Sequence, residues 1–338
     1  MLAEAPPFWW QAEADWRATA LTPLSLVYAA AAGRRLVRAP REKVALPVLC
    51  VGNFTVGGSG KTPVAIALAR RARAMKLKPG FLSRGHGGNV GASRIVDPVL
   101  EDARHAGDEP LLLAAHAPVA VSPDRAAGAR LLAARGCDFL IMDDGFQSAR
   151  IHMDYALLVV DAGHGVGNGR VLPAGPLRAR VVDQLRHADA VLRMGEGTAA
   201  DPVVRQAARA GKPVYDAVSR PRDPDRFAGR RFLAFAGIGH PEKFFAMLRR
   251  VGAEVAVARP FPDHHFYTTD ELRALMAEAR TERLTLVTTA KDMARLSEER
   301  VPAGFLAMTE TFEIDAVFDS DAVPRRIIDE TLRAWRRR

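Results

Sequence analysis

Two cysteines in 338 residues are too few for a disulfide framework or a zinc cluster. Cys50 and Cys137 stand far apart, each in or beside an apolar strand-like run, and read as free core thiols of a reducing compartment. Aromatic residues are scarce too, at 7%, and three of the four tryptophans (Trp9, Trp10 and Trp16) crowd near the start beside Phe8. No period recurs along the chain, which sets aside solenoids and propellers. The uncharged, mostly small and apolar run Ala18 to Gly33 is broken by Pro23 and falls short of the ~20 residues that a spanning helix needs.

What the chain does have is apolar bulk. With 48% hydrophobic residues its length is comfortable for two cores, and a disordered protein is excluded. The formal net charge of +9 rests mainly on arginine. That suits phosphorylated or anionic-membrane partners, and an arginine-biased composition produces the same figure. Nothing along the chain calls for nucleic acid or for an obligate protein partner.

The stretch Pro47 to Thr62, PVLCVGNFTVGGSGKT, has the order of a phosphate cradle: an apolar β-branched run (Val44 to Val51), a glycine-rich loop, then an alanine- and leucine-rich helical pattern from Pro63. Thr55, Val56, Gly57, Gly58, Ser59 and Gly60 make the loop. Its glycines let backbone N–H groups turn toward one anion, and the helix N-terminus adds the positive end of its dipole. Lys61 is then placed to reach the β- and γ-phosphates and Thr62 to hold Mg²⁺. Thr55 occupies the place of the first glycine in the generic GxxxxGK[ST] spacing. The plain alternative is a glycine-rich turn without a ligand; a nucleoside triphosphate site is the expectation.

Strand and helix patterns alternate beyond the loop. A helix is expected over Pro63 to Met75, strands over Pro79 to Ser83, Ala117 to Val121, Cys137 to Met142, Ala156 to Val160, Ala190 to Arg193 and Val214 to Ala217, and helices from Gly107 through Leu113 and over Asp124 to Arg135. Such alternation implies a parallel sheet covered by helices. The Pro-, Asp- and Arg-rich segment Arg220 to Arg230 reads as a linker. A second, smaller α/β unit follows, with strands at Phe232 to Ala236, Glu254 to Ala258, Leu284 to Thr288 and near Phe305 to Met308, and a closing amphipathic helix. The expected division is therefore 1–40 as a membrane-associated helical segment, 41–222 as a nucleotide-binding domain, and 223–338 as a smaller domain completing a cleft, its last helix free to return to the first.

Residues 1–40 combine an aromatic cluster, a short apolar helix and a basic flank (Arg34, Arg35, Arg38, Arg41, Lys43), which fits a segment lying in a membrane interface. A signal peptide would not carry Glu4, Glu13 and Asp15 in its n-region. An amphipathic helix packed on the body is the other alternative.

In open α/β sheets the working groups collect beyond the carboxyl ends of the strands. Asp143 and Asp144 follow the apolar run Phe139 to Met142 as a metal-orienting aspartate does, or as an ordinary Asp-Asp-Gly turn. Asp108 opens a helix, either as an N-cap or as a general base. Asp263, His264 and His265 bring two imidazoles and an acid together without a third metal-ligand spacing. Arg178 closes the rigid loop Leu172 to Arg178, where it binds phosphate or only lays its stem on apolar surface. His86 is a weaker candidate.

Read in order, these motifs resemble one family, the tetraacyldisaccharide 4'-kinases of lipid A biosynthesis: GNFTVGGSGKTP at Gly52 to Pro63, SRGHGG at Ser83 to Gly88, GDEP at Gly107 to Pro110, SPDR at Ser122 to Arg125, DDGFQ at Asp143 to Gln147, LPAGPLR at Leu172 to Arg178, DHH at Asp263 to His265 and TTAKD at Thr288 to Asp292. The resemblance implies a two-lobed P-loop fold with an N-terminal membrane-interface helix, peripheral on the cytoplasmic face of the inner membrane. It implies transfer of the ATP γ-phosphate to the 4'-hydroxyl of a tetraacyldisaccharide 1-phosphate, forming lipid IVA. On this likeness Lys61 and Thr62 hold triphosphate and Mg²⁺, and Asp108 takes the acceptor proton with help from His264. Asp143 and Asp144 support the metal and that histidine, and Arg125 and Arg178 contact phosphate or headgroup. The family pattern continues with an acid where this chain has Ala179, and His265 has no assigned role. A GTPase-type switch is the competing class, but it lacks a guanine-reading NKxD; Ala290-Lys291-Asp292 comes nearest.

Overall fold

The structure, a computed structural model, describes residues 5–11, 15–84, 91–148, 150–296 and 301–338. In chain order the larger sheet takes β1 (Val48–Asn53), β2 (Pro79–Ser83), β3 (Arg94–Ile95), β4 (Val119–Val121), β5 (Phe139–Asp143), β6 (Tyr155–Asp161), β7 (Ala190–Met194) and β8 (Val214–Pro221). The smaller sheet takes β9 (Arg231–Ala236), β10 (Glu254–Pro260), β11 (Thr285–Thr289) and β12 (Thr309–Phe312), and β13 (Ile314–Phe318) returns to the larger one.

The larger sheet runs β13-β8-β7-β6-β1-β5-β2-β4-β3, with β1 at its centre between parallel β6 and β5. Along β1, Val48 and Cys50 enter one core while Leu49 and Val51 enter the other. Burial on both faces is why this strand reads as an unbroken apolar run rather than an alternating one. One core lies under the helices Lys61–Ala74 and Ala322–Arg337, the other under Thr22–Arg38 and Arg125–Ala134. The smaller sheet, β10-β9-β11-β12, is wholly parallel and buried between Pro241–Arg250 and Thr269–Thr281, the latter opened by a Thr268/Glu271 capping box.

Several expectations change. Phe305–Met308 is a short helix, and the strand follows it as β12. Phe305 is fully buried, so its apolar run is core-facing helix, which periodicity cannot tell from a short buried strand. The larger sheet carries two antiparallel edges, β3 on β4 and β13 on β8. β3 has two residues and β13 five, with Ile314 and Val317 of β13 exposed, so neither edge stands out as a long apolar run. The expected linker is partly ordered: β8 runs on to Pro221, and Pro224–Arg226 forms a single 3₁₀ turn. Residues 314–337 leave the smaller unit, since β13 and the helix Ala322–Arg337 pack with the larger sheet.

At the amino-terminal end the helices Trp16–Ala20 and Thr22–Arg38 turn Ala18, Ser25, Ala29, Gly33 and Leu36 inward. A Cβ on Gly33 would lie 3.0 Å from Asp183 Oδ2, a tight contact that the carboxylate would have to yield to by a few tenths of an ångström. Leu24, Leu26, Val27 and Val37 face outward. Among the described residues no helix is long and apolar enough to cross a membrane.

Candidate functional site

The loop after β1 is held from behind and open in front. Val56 N–H donates to Pro176 O at 2.9 Å, Arg178 N–H to Phe54 O at 3.0 Å, and Thr55 bridges Leu177, so the segment Leu172 to Arg178 forms its back wall. Among the described residues, the backbone N–H groups from Gly57 to Thr62 have no hydrogen-bond partner outside the helix that follows. A run of such amides at a helix start, with Gly57 and Gly60 at positive φ, is an anion-binding concavity. Cβ atoms added to Gly57 or Gly58 would meet no atom of the described residues within 4 Å, so the loop is open at these two positions.

The end of β5 stands beside it. Asp143 pairs in register with Val51, and its Oδ2 accepts from Thr62 Oγ1 at 3.3 Å. Its Oδ1 is buried and has no hydrogen-bond partner among the described residues. Burial, and then the Glu109 charge, hold this carboxyl well above the ordinary carboxylate range, with Lys61 pulling the other way. Lys61 Nζ lies 3.8 Å from Asp144 Oδ2. Asp144 itself is forked by Arg178, at 2.5 Å to Oδ1 and 2.9 Å to Oδ2.

Across the loop, Asp108 opens the helix Asp108–Ala114 in a buried setting. Its Oδ1 accepts from Glu109 N–H at 2.9 Å. Its Oδ2 meets three donors, all from the smaller unit: His264 Nδ1 at 3.1 Å, Arg295 Nε at 3.0 Å, and Arg295 Nη2. Burial alone would raise the Asp108 carboxyl, but the His264 hydrogen bond and the Arg295 and Lys291 charges bring it far below the usual range. That same hydrogen bond raises His264. Lys291 Nζ reaches Glu109 Oε1 at 2.6 Å, and Glu109 also feels Lys61. Asp108, Glu109, Lys61 and Asp143 thus share one field.

The chemistry-bearing residues expected from sequence mostly converge, but four are placed differently. Asp144 pairs with Arg178 and Lys61, while the acid of His264 is Asp108. Arg178 is therefore neutralised within the protein. Arg125, expected at a headgroup, is 2% exposed and clasps the carbonyls of Ser83 and Ser122 at 3.0 and 2.6 Å, so it braces strand ends. Burial lowers its guanidinium to about 10. His265 stacks on Phe261 and bonds Glu271 at 3.0 Å, a local packing role. His86 lies outside the described residues.

Ala179 is fully buried and its carbonyl accepts from Gln184 Nε2 at 2.7 Å, so no carboxylate enters there. Glu109 is the further acid acting on Asp143. It sits in the GDEP motif, yet reads there as ordinary helix-start acidity. Arg295 carries no signal in the chain: it is one arginine among many until folding buries it. Asp292, the nearest thing to a base-reading acid, has no exposed surface and accepts from Gly237 N–H, Tyr267 Oη and Arg295.

Fold and site together define an open α/β protein of two sheets, the larger mostly and the smaller wholly parallel, whose polar groups gather at the strands' carboxyl ends around a glycine-rich loop. The profile of the LpxK family, tetraacyldisaccharide-1-P 4'-kinase, matches residues 17–333, and the chain belongs to that family. The tetraacyldisaccharide 4'-kinase of Mesorhizobium japonicum is 65% identical, over 100% of this chain and 99% of that one; its Brucella ovis counterpart is 54% identical over the same shares. A crystal structure of "apo" form LpxK from Aquifex aeolicus in complex with ATP is similar in fold, with a TM-score of 0.72 and 25% identity over 93% of this chain and 99% of that one.

Proposed function

We propose that this kinase transfers the γ-phosphate of ATP to the 4'-hydroxyl of a tetraacyldisaccharide 1-phosphate, forming lipid IVA, with residues 55–62 as a P-loop cradling the triphosphate. The observation that carries this is the row of amides from Gly57 to Thr62, unpartnered among the described residues and bounded by Asp143 on one side and by the Asp108–His264 pair on the other. The amides and Lys61 spread the charge of the transferring group, and positioning with charge stabilisation is most of what phosphoryl transfer asks of a protein. A sugar hydroxyl is a poor nucleophile at neutral pH, and the Asp108–His264 pair supplies the proton acceptor.

Mg²⁺ fits the residues present. Asp143 Oδ1 is a desolvated carboxylate oxygen without a donor among the described residues, and Thr62 Oγ1 stands 3.3 Å from the companion oxygen. One carboxylate and one hydroxyl beside phosphate oxygens match the way Mg²⁺ is held in kinases. The ion would neutralise charge on the β- and γ-phosphate oxygens.

The same reading places the chain on the cytoplasmic face of the inner membrane. The helix Thr22–Arg38 packs its small residues inward and turns Leu24, Leu26 and Val27 out, with Arg34, Arg35 and Arg38 following. A soluble helix does the reverse. The segment is tied to the back wall of the loop, since Trp9 Nε1 donates to Pro173 O at 3.0 Å and Ser25 Oγ to Val171 O at 2.6 Å. A headgroup could thus reach the cleft while its acyl chains stay in the bilayer. The test is transfer of radiolabelled γ-phosphate from ATP to the tetraacylated disaccharide 1-phosphate in mixed micelles. A labelled lipid is expected; ATP hydrolysis without one refutes the proposal.

A further inference from the structure

The smaller unit is clasped to the larger one on both sides of β1. On one side His264, Arg295 and Lys291 meet Asp108 and Glu109, on the helix that leads into β4. On the other, at the end of β6, the contact is built from imidazoles. The His164 and His240 rings stack with centroids 4.5 Å apart and planes 19° from parallel. His164 lies on the loop after β6, and His240 precedes the helix Pro241–Arg250 of the smaller unit. Trp10, from the amino-terminal segment, makes a T-shaped contact with the His164 ring at 5.8 Å. Asp161 backs the stack. Its Oδ1 accepts from Gly163 N–H at 3.0 Å and His164 N–H at 2.8 Å and stands 3.1 Å from His164 Nδ1, while its Oδ2 takes Lys243 Nζ at 2.9 Å. The His164 side chain is about a third exposed and His240 is half-buried, so protons from solvent reach both rings.

We propose that the His164–His240 stack is a proton-sensitive latch: it holds the smaller unit to the end of β6 while at least one ring is neutral and lets go when both are protonated. A neutral ring stacks on a neutral or a charged one without repulsion, but two imidazolium rings here would set like charges 4.5 Å apart. Such a pair takes its protons in two steps, the second at lower pH. Lys243 adds a further positive charge, and the one Asp161 carboxylate is already shared between Lys243 and His164. Asp263, on the loop after β10, also faces His240. The exposed Glu196, on the loop after β7, meets Gly163 through its carbonyl, and the amino-terminal segment brings the uncharged Trp10. Burial, and then His164 and Lys243, hold His240 below the ordinary histidine range, with Asp161 and Asp263 pulling the other way. The clasp at Asp108 differs in kind, because Asp108 and Glu109 are held below the ordinary carboxylate range and their partners Arg295 and Lys291 stay charged. Falling pH therefore loosens the β6 side and leaves the Asp108 side closed. A released imidazole returns to its ordinary value, so opening should rise by up to about tenfold per pH unit below about pH 6.5. The latch bears on the cleft proposed above and does not depend on what is phosphorylated there.

The test uses the full-length protein without substrate, spin-labelled at Arg209→Cys and Arg249→Cys, exposed positions on the larger and the smaller unit. Cys50 and Cys137 are buried and do not compete for label. The distance between labels is measured by pulsed electron resonance from about pH 8 to pH 5. A longer-distance population should appear below about pH 6.5 and grow by up to about tenfold per unit. His240→Phe keeps a ring in the stack that cannot take a proton, so its distances should not change with pH. If that variant does not fold, His164→Gln, which leaves one titrating ring, should give distances equally indifferent to pH. His264→Asn should keep the wild-type response. Wild-type distances that are the same at both ends of the range overturn the proposal. So does a response that survives in His240→Phe or His164→Gln, or one that is lost in His264→Asn, which would put the opening at the Asp108 clasp.

Discussion

Lys291, on the helix after β11, sets its ammonium 2.6 Å from Glu109 Oε1 on the helix that Asp108 opens. It is one of several bonds that hold the smaller sheet over the glycine-rich loop. Others are His264 and Arg295 on Asp108, and, at the end of β6, Lys243 on Asp161 at 2.9 Å. Glu109 raises Asp143 while Lys61 and Lys291 lower it, so the pair also tunes the charge beside the loop.

Replacing Lys291 by methionine should leave Glu109 as an unbalanced negative charge near the nucleotide. Both side chains are nearly a third exposed, so the stability cost is modest, about 1 kcal/mol or a few degrees of melting temperature. The functional cost should be larger, with KM for ATP rising about tenfold and Glu109→Gln in the same chain restoring most of it. A double variant no better than the single one would show that charge is not the reason.

Gly58→Ala separates folding from binding. An added Cβ meets no atom of the described residues within 4 Å, so thermal stability should stay within about 1 °C of wild type. A methyl group there would stand in the space assigned to phosphate. ATP affinity should fall at least about tenfold, which corresponds to 1.4 kcal/mol. Unaltered affinity would move the triphosphate away from this loop.

Asp108→Asn keeps the shape of the group and removes its charge. Turnover should drop by about 10²- to 10⁴-fold with ATP binding retained, as titrated by calorimetry. Equal loss of ATP affinity would point to a structural effect.

The pairing of Asp108 with His264 should also show in stability against pH. Asp108 is depressed in the folded chain, so its contribution is present above the ordinary carboxylate value and lost as pH falls through the folded one. His264 is raised, so its contribution is full below the ordinary histidine value and disappears as pH rises through the folded one. The melting-temperature gap between wild type and His264→Asn should therefore be widest between about pH 4 and 6.5 and should shrink above it. A gap that is flat from pH 5 to 9 would mean that the ion pair contributes nothing.

The outward apolar face of Thr22–Arg38 should bind anionic vesicles. Leu24→Ser with Val27→Ser removes two side chains that are 62% and 70% exposed, and should weaken vesicle binding by about tenfold or more without lowering the melting temperature. Full retention on vesicles would remove this face from the membrane contact.

The alternation of strands and helices was readable in the chain because β1, β2, β5 and β6 are covered on both faces and must be apolar throughout. The short edges β3 and β13 were not, since an edge strand of few residues pairs through its backbone and leaves little side-chain pattern. Arg125 misled for a related reason: a guanidinium that clasps two carbonyls in the interior looks, in sequence, like one that waits for a phosphate.

By itself, the sequence determined the parts that depend on local geometry: a strand, a loop whose glycines free its amides, a helix start with Lys61 and Thr62, and an aspartate at the end of the next apolar strand. Only the tertiary structure decided the partnerships. Asp108 and Arg295 are 187 residues apart, and Glu109 and Lys291 are 182 apart. No spacing rule connects such residues. They meet because the two sheets present the carboxyl ends of their parallel strands to each other, and burial then turns one of many arginines into the group that holds the Asp108 carboxylate.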